Sequence, residues 1–296
     1  MSHQIIKPSQ EVLDIYDKYA HGLMSRRAFF EKLGAYAVGG LTVAALAESV
    51  LPNYALAEQV KPGDERITAM DVPYRSPMGA GDMMGYLVTP TATSSTNKKP
   101  GVVVIHENRG LNPYIRDVAR RVAVAGYIAF APDALYPLGG YPGNDDDGRT
   151  MQRERDRDDM VEDFAAAVSF LQEHEACTGN VGCVGFCFGG SVSNRLAAKI
   201  PTLKAAVPFY GGGVAAEDVP GIEAPLLIHL GGLDERVNAG WPAYEAALKA
   251  NGKDYEMHMY DGANHGFHND TTPRYDAEAA ELAWSRTLAF FEKHLK

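Results

Sequence analysis

Three residue types suited to acyl-transfer chemistry follow one another along the chain: Cys187, Asp234 and His265. A cysteine attacks a carbonyl as its thiolate and needs an imidazole nearby to take its proton. The imidazole in turn needs a carboxylate to fix its tautomer. Cys187 stands in the stretch Val181-Gly182-Cys183-Val184-Gly185-Phe186-Cys187-Phe188-Gly189-Gly190, an apolar run, a tight Gly185-x-Cys187-x-Gly189 turn and then a helical pattern over 191–199. That is the nucleophile-elbow pattern with cysteine in the serine place. Glycines on both sides of the nucleophile remove side chains that would clash at so sharp a corner. Amides at the start of the following helix favour negative charge, on a thiolate or on a developing oxyanion.

The elements that must position these residues are legible as short apolar runs separated by helical patterns. The runs are Val102–Ile105, Tyr127–Phe130, Val181–Phe186, Ala205–Phe209, Leu226–His229 and Tyr255–Tyr260, with helices expected near 113–125, 158–174, 190–199, 241–251 and 275–295. A hairpin is expected before them, from Arg66–Arg75 through the turn 78–81 to Met83–Thr89, followed by a polar loop over 91–100. Continuous apolar strands alternating with helices predict an α/β fold, a mainly parallel sheet covered on both faces. Such sheets carry their chemistry at the carboxyl ends of the strands. Cys187, Asp234 and His265 each come just after a run, and so does His106-Glu107-Asn108-Arg109-Gly110.

The order nucleophile, acid, base is that of the α/β-hydrolase fold. The pieces His106-Glu107-Asn108-Arg109-Gly110, Ala131-Pro132-Asp133-Ala134-Leu135-Tyr136, Gly185–Gly190, Asp234 and His265-Gly266-Phe267 resemble the dienelactone hydrolase family over residues 66–295. The resemblance implies Cys187 as nucleophile, His265 as base, Asp234 as its orienter, and Glu107 touching the thiol to help activate it. It also implies an oxyanion hole made by the backbone amides of Asn108 and Phe188. Tyr136 and Phe188 are expected as pocket walls, and Arg109 as a candidate cation for the substrate. Two arginines that clamp a substrate carboxylate in the family are missing: Leu138 and Asn269 stand at their places. A neutral side chain cannot replace a bidentate guanidinium, so uncharged esters or lactones are the expected substrates. Two other readings are open. One is a Gly-x-Cys-x-Gly amidase or thioesterase, although no glutamate closely follows His265; the other is a non-catalytic binding protein on the same fold.

The 296 residues carry a net charge of −10, which excludes the basic field that nucleic acid requires. The expected partner is a small-molecule ester or lactone, acted on by a monomer or a homo-oligomer without a cofactor. His229, His258 and His268 lack metal-ligand spacing, so no metal is assigned. The three cysteines, Cys177, Cys183 and Cys187, make no disulfide framework. Residues 1–57 divide from the hydrolase domain, 58–296. Ser25-Arg26-Arg27-Ala28-Phe29-Phe30 matches a twin-arginine export signal, followed by a small-residue apolar run over 35–47 and the cleavage-like triplet Ala55-Leu56-Ala57. The run is too short for a stable membrane span. Export to the periplasm is expected, the alternative being a cytoplasmic protein that retains the segment as an amphipathic helix packed on the domain or on a second subunit. The Gly- and Asp-rich stretch 139–148 is expected to be a flexible insertion, a lid or a solvated loop.

Overall fold

The computed structural model describes residues 8–38, 41–56 and 58–296. Residues 1–7, Gly39 and Gly40 of the apolar run, and Ala57 of the cleavage-like triplet lie outside the described residues. In chain order the elements begin with three short helices, α1 (Gln10–Ala20), α2 (Arg26–Leu33) and α3 (Val43–Val50). The hairpin β1 (Ile67–Ser76) and β2 (Gly81–Pro90) follows, then β3 (Lys99–Ile105), α4 (Pro113–Val124), β4 (Ile128–Pro132), α5 (Asp145–Glu154) and α6 (Arg157–Glu173). The second half runs β5 (Cys177–Phe186), α7 (Phe188–Lys199), β6 (Ala205–Phe209), β7 (Leu226–Gly231), α8 (Glu235–Asn238), α9 (Trp241–Ala250), β8 (Tyr255–Tyr260) and α10 (Ala277–Leu295).

The strands form one eight-stranded sheet in the order β1-β2-β4-β3-β5-β6-β7-β8. β1, β2 and β4 pair antiparallel, and every pairing from β4 onward through β8 is parallel. Period-two alternation sorts the apolar strands onto two faces. Val102, Val104, Val184, Phe186, Val207 and Phe209 share one buried cluster with Ile115, Val118 and Val122 of α4 and Ala283 and Phe291 of α10. Val103, Ile105, Cys183 and Ala206 face the other way, onto Phe164, Val168 and Leu171 of α6 and Val192 and Leu196 of α7. Both faces are therefore covered, as continuous apolar strands require.

The chain leaves β3 toward β4 and then crosses back to β5, so strand order reverses between β3 and β5. A crevice opens at such a switch point, beyond the carboxyl ends of the strands. It is at this place that residues 106–110 and Cys187 come face to face.

The stretch 139–148 differs from expectation. Its acidic residues open α5: the Asn144 side chain accepts from the Asp147 amide at 2.9 Å, and Asp145, Asp146 and Asp147 occupy the first turn. Carboxylates are stabilised there by the unpaired amides of the helix start. An acidic run in isolation resembles a solvated loop, which is why the helix is hidden in the sequence.

The three N-terminal helices have an apolar cluster of their own, with Val12, Tyr16, Tyr19, Phe29, Leu33, Leu46 and Val50 buried. They also pack on the α/β domain through polar contacts. Arg274 donates to Asp17 at 2.8 Å, Gln10 to Asn264 at 2.6 Å, and the Asn53 amide to the Thr271 carbonyl at 2.7 Å. Among the described residues no helix is long and apolar enough to cross a membrane.

The sharpest test of the elbow is Gly189. A Cβ there would overlap the carbonyl oxygens of Ile105 and His106 on the neighbouring strand end. Gly189→Ala is expected to destabilise the fold by about 1–3 kcal/mol, as overpacking does, and to push the Cys187 turn away from β3. Urea unfolding with a midpoint unchanged from wild type would show that the turn has slack.

Candidate active site

Cys187 sits between β5 and α7 with φ 57° and ψ −111°, a left-handed conformation that costs a non-glycine residue energy. The corner persists because its surroundings allow nothing else. A Cβ on Gly185 would meet the Gly189 carbonyl and the Ser193 hydroxyl, and the Cys187 amide donates to the Phe209 carbonyl at 3.1 Å. The thiol is consequently thrust out at the strand rim while remaining only 9% exposed.

His265 follows β8 and reaches the same rim. Its Nδ1 lies 2.5 Å from the Asp234 carboxylate, which follows β7. A carboxylate oxygen only accepts, so Nδ1 carries a proton, and the ring lies within 4.8 Å of the Cys187 sulfur. Asp234 is held in turn by the Val237 amide at 3.1 Å, as the cap of α8. Burial opposes ionisation of Asp234, but His265 and the Val237 amide hold its carboxyl below the usual range.

Burial alone would raise the Cys187 thiol and depress His265. The facing charges outweigh it on both sides. His265 and a second imidazole, His21, bring the thiol down to about 5. Cys187 and Asp234 lift His265 to about 10. The stable form at neutral pH is a thiolate beside an imidazolium. Cys183, in the apolar core, is pushed the other way to about 12. All three cysteines are free thiols.

The backbone amides of Asn108 and Phe188 have no internal hydrogen-bond partner among the described residues. Phe188 opens α7 immediately after Cys187, where the helix-start amide has no turn before it.

Three residues lie elsewhere than expected. The Glu107 carboxylate accepts from Asn269 at 2.9 Å and faces Arg109 at 3.5 Å; among the described residues no hydrogen bond joins it to Cys187. Asn269, at one of the missing-arginine positions, thus serves Glu107 and not a substrate. Arg109 is 2% exposed and is pinned by Asp145 of α5 at 2.8 Å, so it is an internal counterion and not a substrate cation. Tyr136 is half-exposed beside Gly140 and Tyr141, lining a separate depression near Asp71 and Met84. Leu138 is exposed.

A cavity of about 720 Å³ opens over Cys187. Phe188, Tyr210 and Val192 give it apolar wall, and six arginines surround it: Arg149, Arg155 and Arg195 are paired with Asp146, Asp163 and Asp158, while Arg153, Arg157 and Arg236 also line it, with Asp156 the single acidic residue among the described lining. The sequence reading missed this basic rim because its arginines come from α5, α6, α7 and α8 and converge only in the fold. Tyr210, with φ 38° and its ring centroid 4.9 Å from that of His265, was missed too; the glycine run after it is the local signal.

His21, at the end of α1, is the largest addition. Its Nε2 lies 3.4 Å from Cys187 Sγ and 3.2 Å from His265 Nε2. His21, Cys187 and His265 are also the one group of metal-ligand types brought within 4.8 Å of one another among the described residues. Arg236 Nη2 stands 3.1 Å from His21 Nε2 and 3.2 Å from His265 Nδ1. That fixed positive charge opposes a second cation in the same place.

Known proteins match this architecture closely. The dienelactone hydrolase family model matches residues 83–295, and a second model, YqhI-like, matches residues 9–38. "Protein usf" of Aquifex pyrophilus is 37% identical over 225 residues, covering 71% of this chain and 93% of its own. A Synechocystis protein named "Putative carboxymethylenebutenolidase" is 33% identical over 232 residues, covering 72% of this chain and 92% of its own. The crystal structure of a "Dienelactone Hydrolase-like Promiscuous Phospotriesterase P91 from Metagenomic Libraries" superposes with a TM-score of 0.67 at 25% identity, over 78% of this chain and 100% of its own. The chain belongs to the dienelactone hydrolase family and is a hydrolase acting on ester bonds, lactones included.

Proposed function

We propose that this protein cleaves esters or lactones through a Cys187-His265-Asp234 triad. Cys187 attacks the carbonyl carbon, and the resulting oxyanion is received by the amides of Asn108 and Phe188. His265 then protonates the leaving oxygen, and water releases the acid from the thioester. The observation that carries this reading is the 2.5 Å contact of Asp234 with His265 Nδ1, which points the opposite ring nitrogen at a cysteine held on a strained elbow. The basic rim extends the reading to substrates that bear an anionic group besides the scissile ester. This departs from the preference for uncharged substrates that the two missing arginines suggest, because other arginines occupy the cavity wall.

Iodoacetamide labelling tests the nucleophile. Below pH 5 the Cys187 sulfur is protonated and slow; labelling should rise through a midpoint near 5 and stay level until His265 loses its proton near 10. Cys183, raised to about 12, should remain unlabelled over the same range. A midpoint for Cys187 near the ordinary thiol value of about 8.5 would reject the ion pair. Asp234→Asn should lower kcat by roughly 10³- to 10⁴-fold with the fold intact, since the wrong tautomer of His265 is then favoured. A fall of less than tenfold would assign the orienting role elsewhere.

Substrate charge is tested by the ratio of specificity constants for a carboxylate-bearing lactone and an uncharged one. One charge-assisted contact supports a preference for the anion of roughly tenfold or more at low salt, decreasing as salt screens the rim. A preference for the uncharged lactone at low salt would remove the arginines from substrate recognition.

A further inference from the structure

We propose that His21 is a second catalytic base of this site, supplied by the N-terminal helical segment, and that it activates the water that hydrolyses the acyl-enzyme. The inference rests on Cys187 being the nucleophile.

The tautomer of His21 follows from its contacts. Nδ1 lies 2.8 Å from the Asp17 backbone carbonyl, one turn back in α1, and 3.3 Å from the Asp17 carboxylate. Both are acceptors, so Nδ1 carries the proton and the neutral ring has its lone pair on Nε2. Asp17 is itself fixed by Arg274 at 2.8 Å. The arrangement repeats what Asp234 does for His265, whose ring stands edge-on to that of His21 with centroids 4.5 Å apart. Two imidazoles, each oriented by an aspartate, thus present Nε2 to one thiol. Arg236 Nη2 lies 3.1 Å from His21 Nε2 and 3.2 Å from His265 Nδ1; the latter already donates to Asp234, so the guanidinium can donate only to the His21 lone pair. The segment is also anchored close by: Asn108, a member of the oxyanion pair, donates its side-chain amide to the Ala20 carbonyl at 2.8 Å.

A single histidine must serve as acid in one half of the reaction and as base in the other. With two, the tasks divide. During acylation His265 gives its proton to the leaving alcohol, and Cys187 becomes a neutral thioester. Both rings are then uncharged. His21 Nε2 takes a proton from water while the water oxygen bonds to the thioester carbon. The tetrahedral intermediate collapses with cleavage of the C–S bond, and the electron pair returns to Sγ as thiolate. The acid product leaves and ionises to a carboxylate and a proton. His21, now protonated, passes its proton across the 3.2 Å contact to His265, restoring the resting ion pair. The groups facing His21 throughout are Cys187, His265, Asp17 and Arg236, with Arg274 behind Asp17. In the resting state burial and the His265 imidazolium work against a charge on His21, and the Cys187 thiolate and Asp17 outweigh them to raise its pKa; acylation removes the thiolate and lets the ring act as a base.

The experiment is rapid mixing of the full-length protein and its His21→Gln and His21→Ala variants with p-nitrophenyl acetate. In wild type one nitrophenolate per site should be released, with an acetyl group found on Cys187 by mass. Absence of that adduct in wild type and in both variants alike would reject the nucleophile itself, whatever His21 does. In His21→Gln the burst should persist within a few-fold, while the steady rate falls about a hundredfold, the usual contribution of a positioned base. Acetyl-Cys187 should then accumulate. Added imidazole should restore hydrolysis in His21→Ala, where space is left for it, and much less in His21→Gln. A steady rate equal to or faster than wild type in both variants, or equal slowing of burst and steady rate without imidazole rescue, would overturn the proposal and leave the segment as a cover.

Discussion

A sulfur anion in a nearly buried place exists at neutral pH only beside a positive partner. Much of the site follows from that constraint. The elbow lifts Cys187 clear of β5 at the cost of left-handed backbone, the start of α7 directs amides toward the charge, and His265 brings the compensating proton. Asp234 exists to keep that proton donor in orientation, and α8 exists in part to hold Asp234 through the Val237 amide. Remove the anion and there is no reason for two aspartates, two imidazoles and Arg236 to crowd one end of the sheet.

The parts of this arrangement that follow from local pattern can be read along the chain. β5 to β8 announce themselves as apolar runs, and the residues after them are the ones the rim presents. Partnership across the fold is less accessible. Glu107 and Arg109 stand two positions apart at the Cys187 rim and look like free rim charges, yet each is occupied: Glu107 by Asn269 and Arg109 by Asp145. Asp145 becomes a counterion only because the acidic run after Asn144 folds as a capped helix start. His21 is further still from view, 166 residues from the sulfur it touches. It lies four residues ahead of Ser25 in a stretch whose arginine pair draws attention to transport and away from chemistry.

The two descriptions of the N-terminal segment exclude each other within one mature enzyme. Cleavage after Ala57 would carry away His21, Asp17 and the Ala20 carbonyl together. A retained segment keeps both imidazoles at Cys187 while leaving Arg27 on the surface and Arg26 paired with Asp146. The match of a separate family model to residues 9–38 fits a unit with its own packing, as does the apolar cluster around Tyr16 and Phe29.

The contact between Asp17 and Arg274 spans 257 residues. Its sequence separation sets an order of events during synthesis. At roughly 5–20 residues per second, α1 emerges about 13–50 s before the residue it docks against. Through that interval the N-terminal helices have only their own small cluster to hold them, and Arg26 and Arg27 are open to any receptor that reads a nascent chain. Once α10 packs and Arg274 closes on Asp17, the same segment becomes one wall of the cavity over Cys187. Were the segment also read as an export address, that reading and its folding would be a race in time, decided by when the last tenth of the chain arrives.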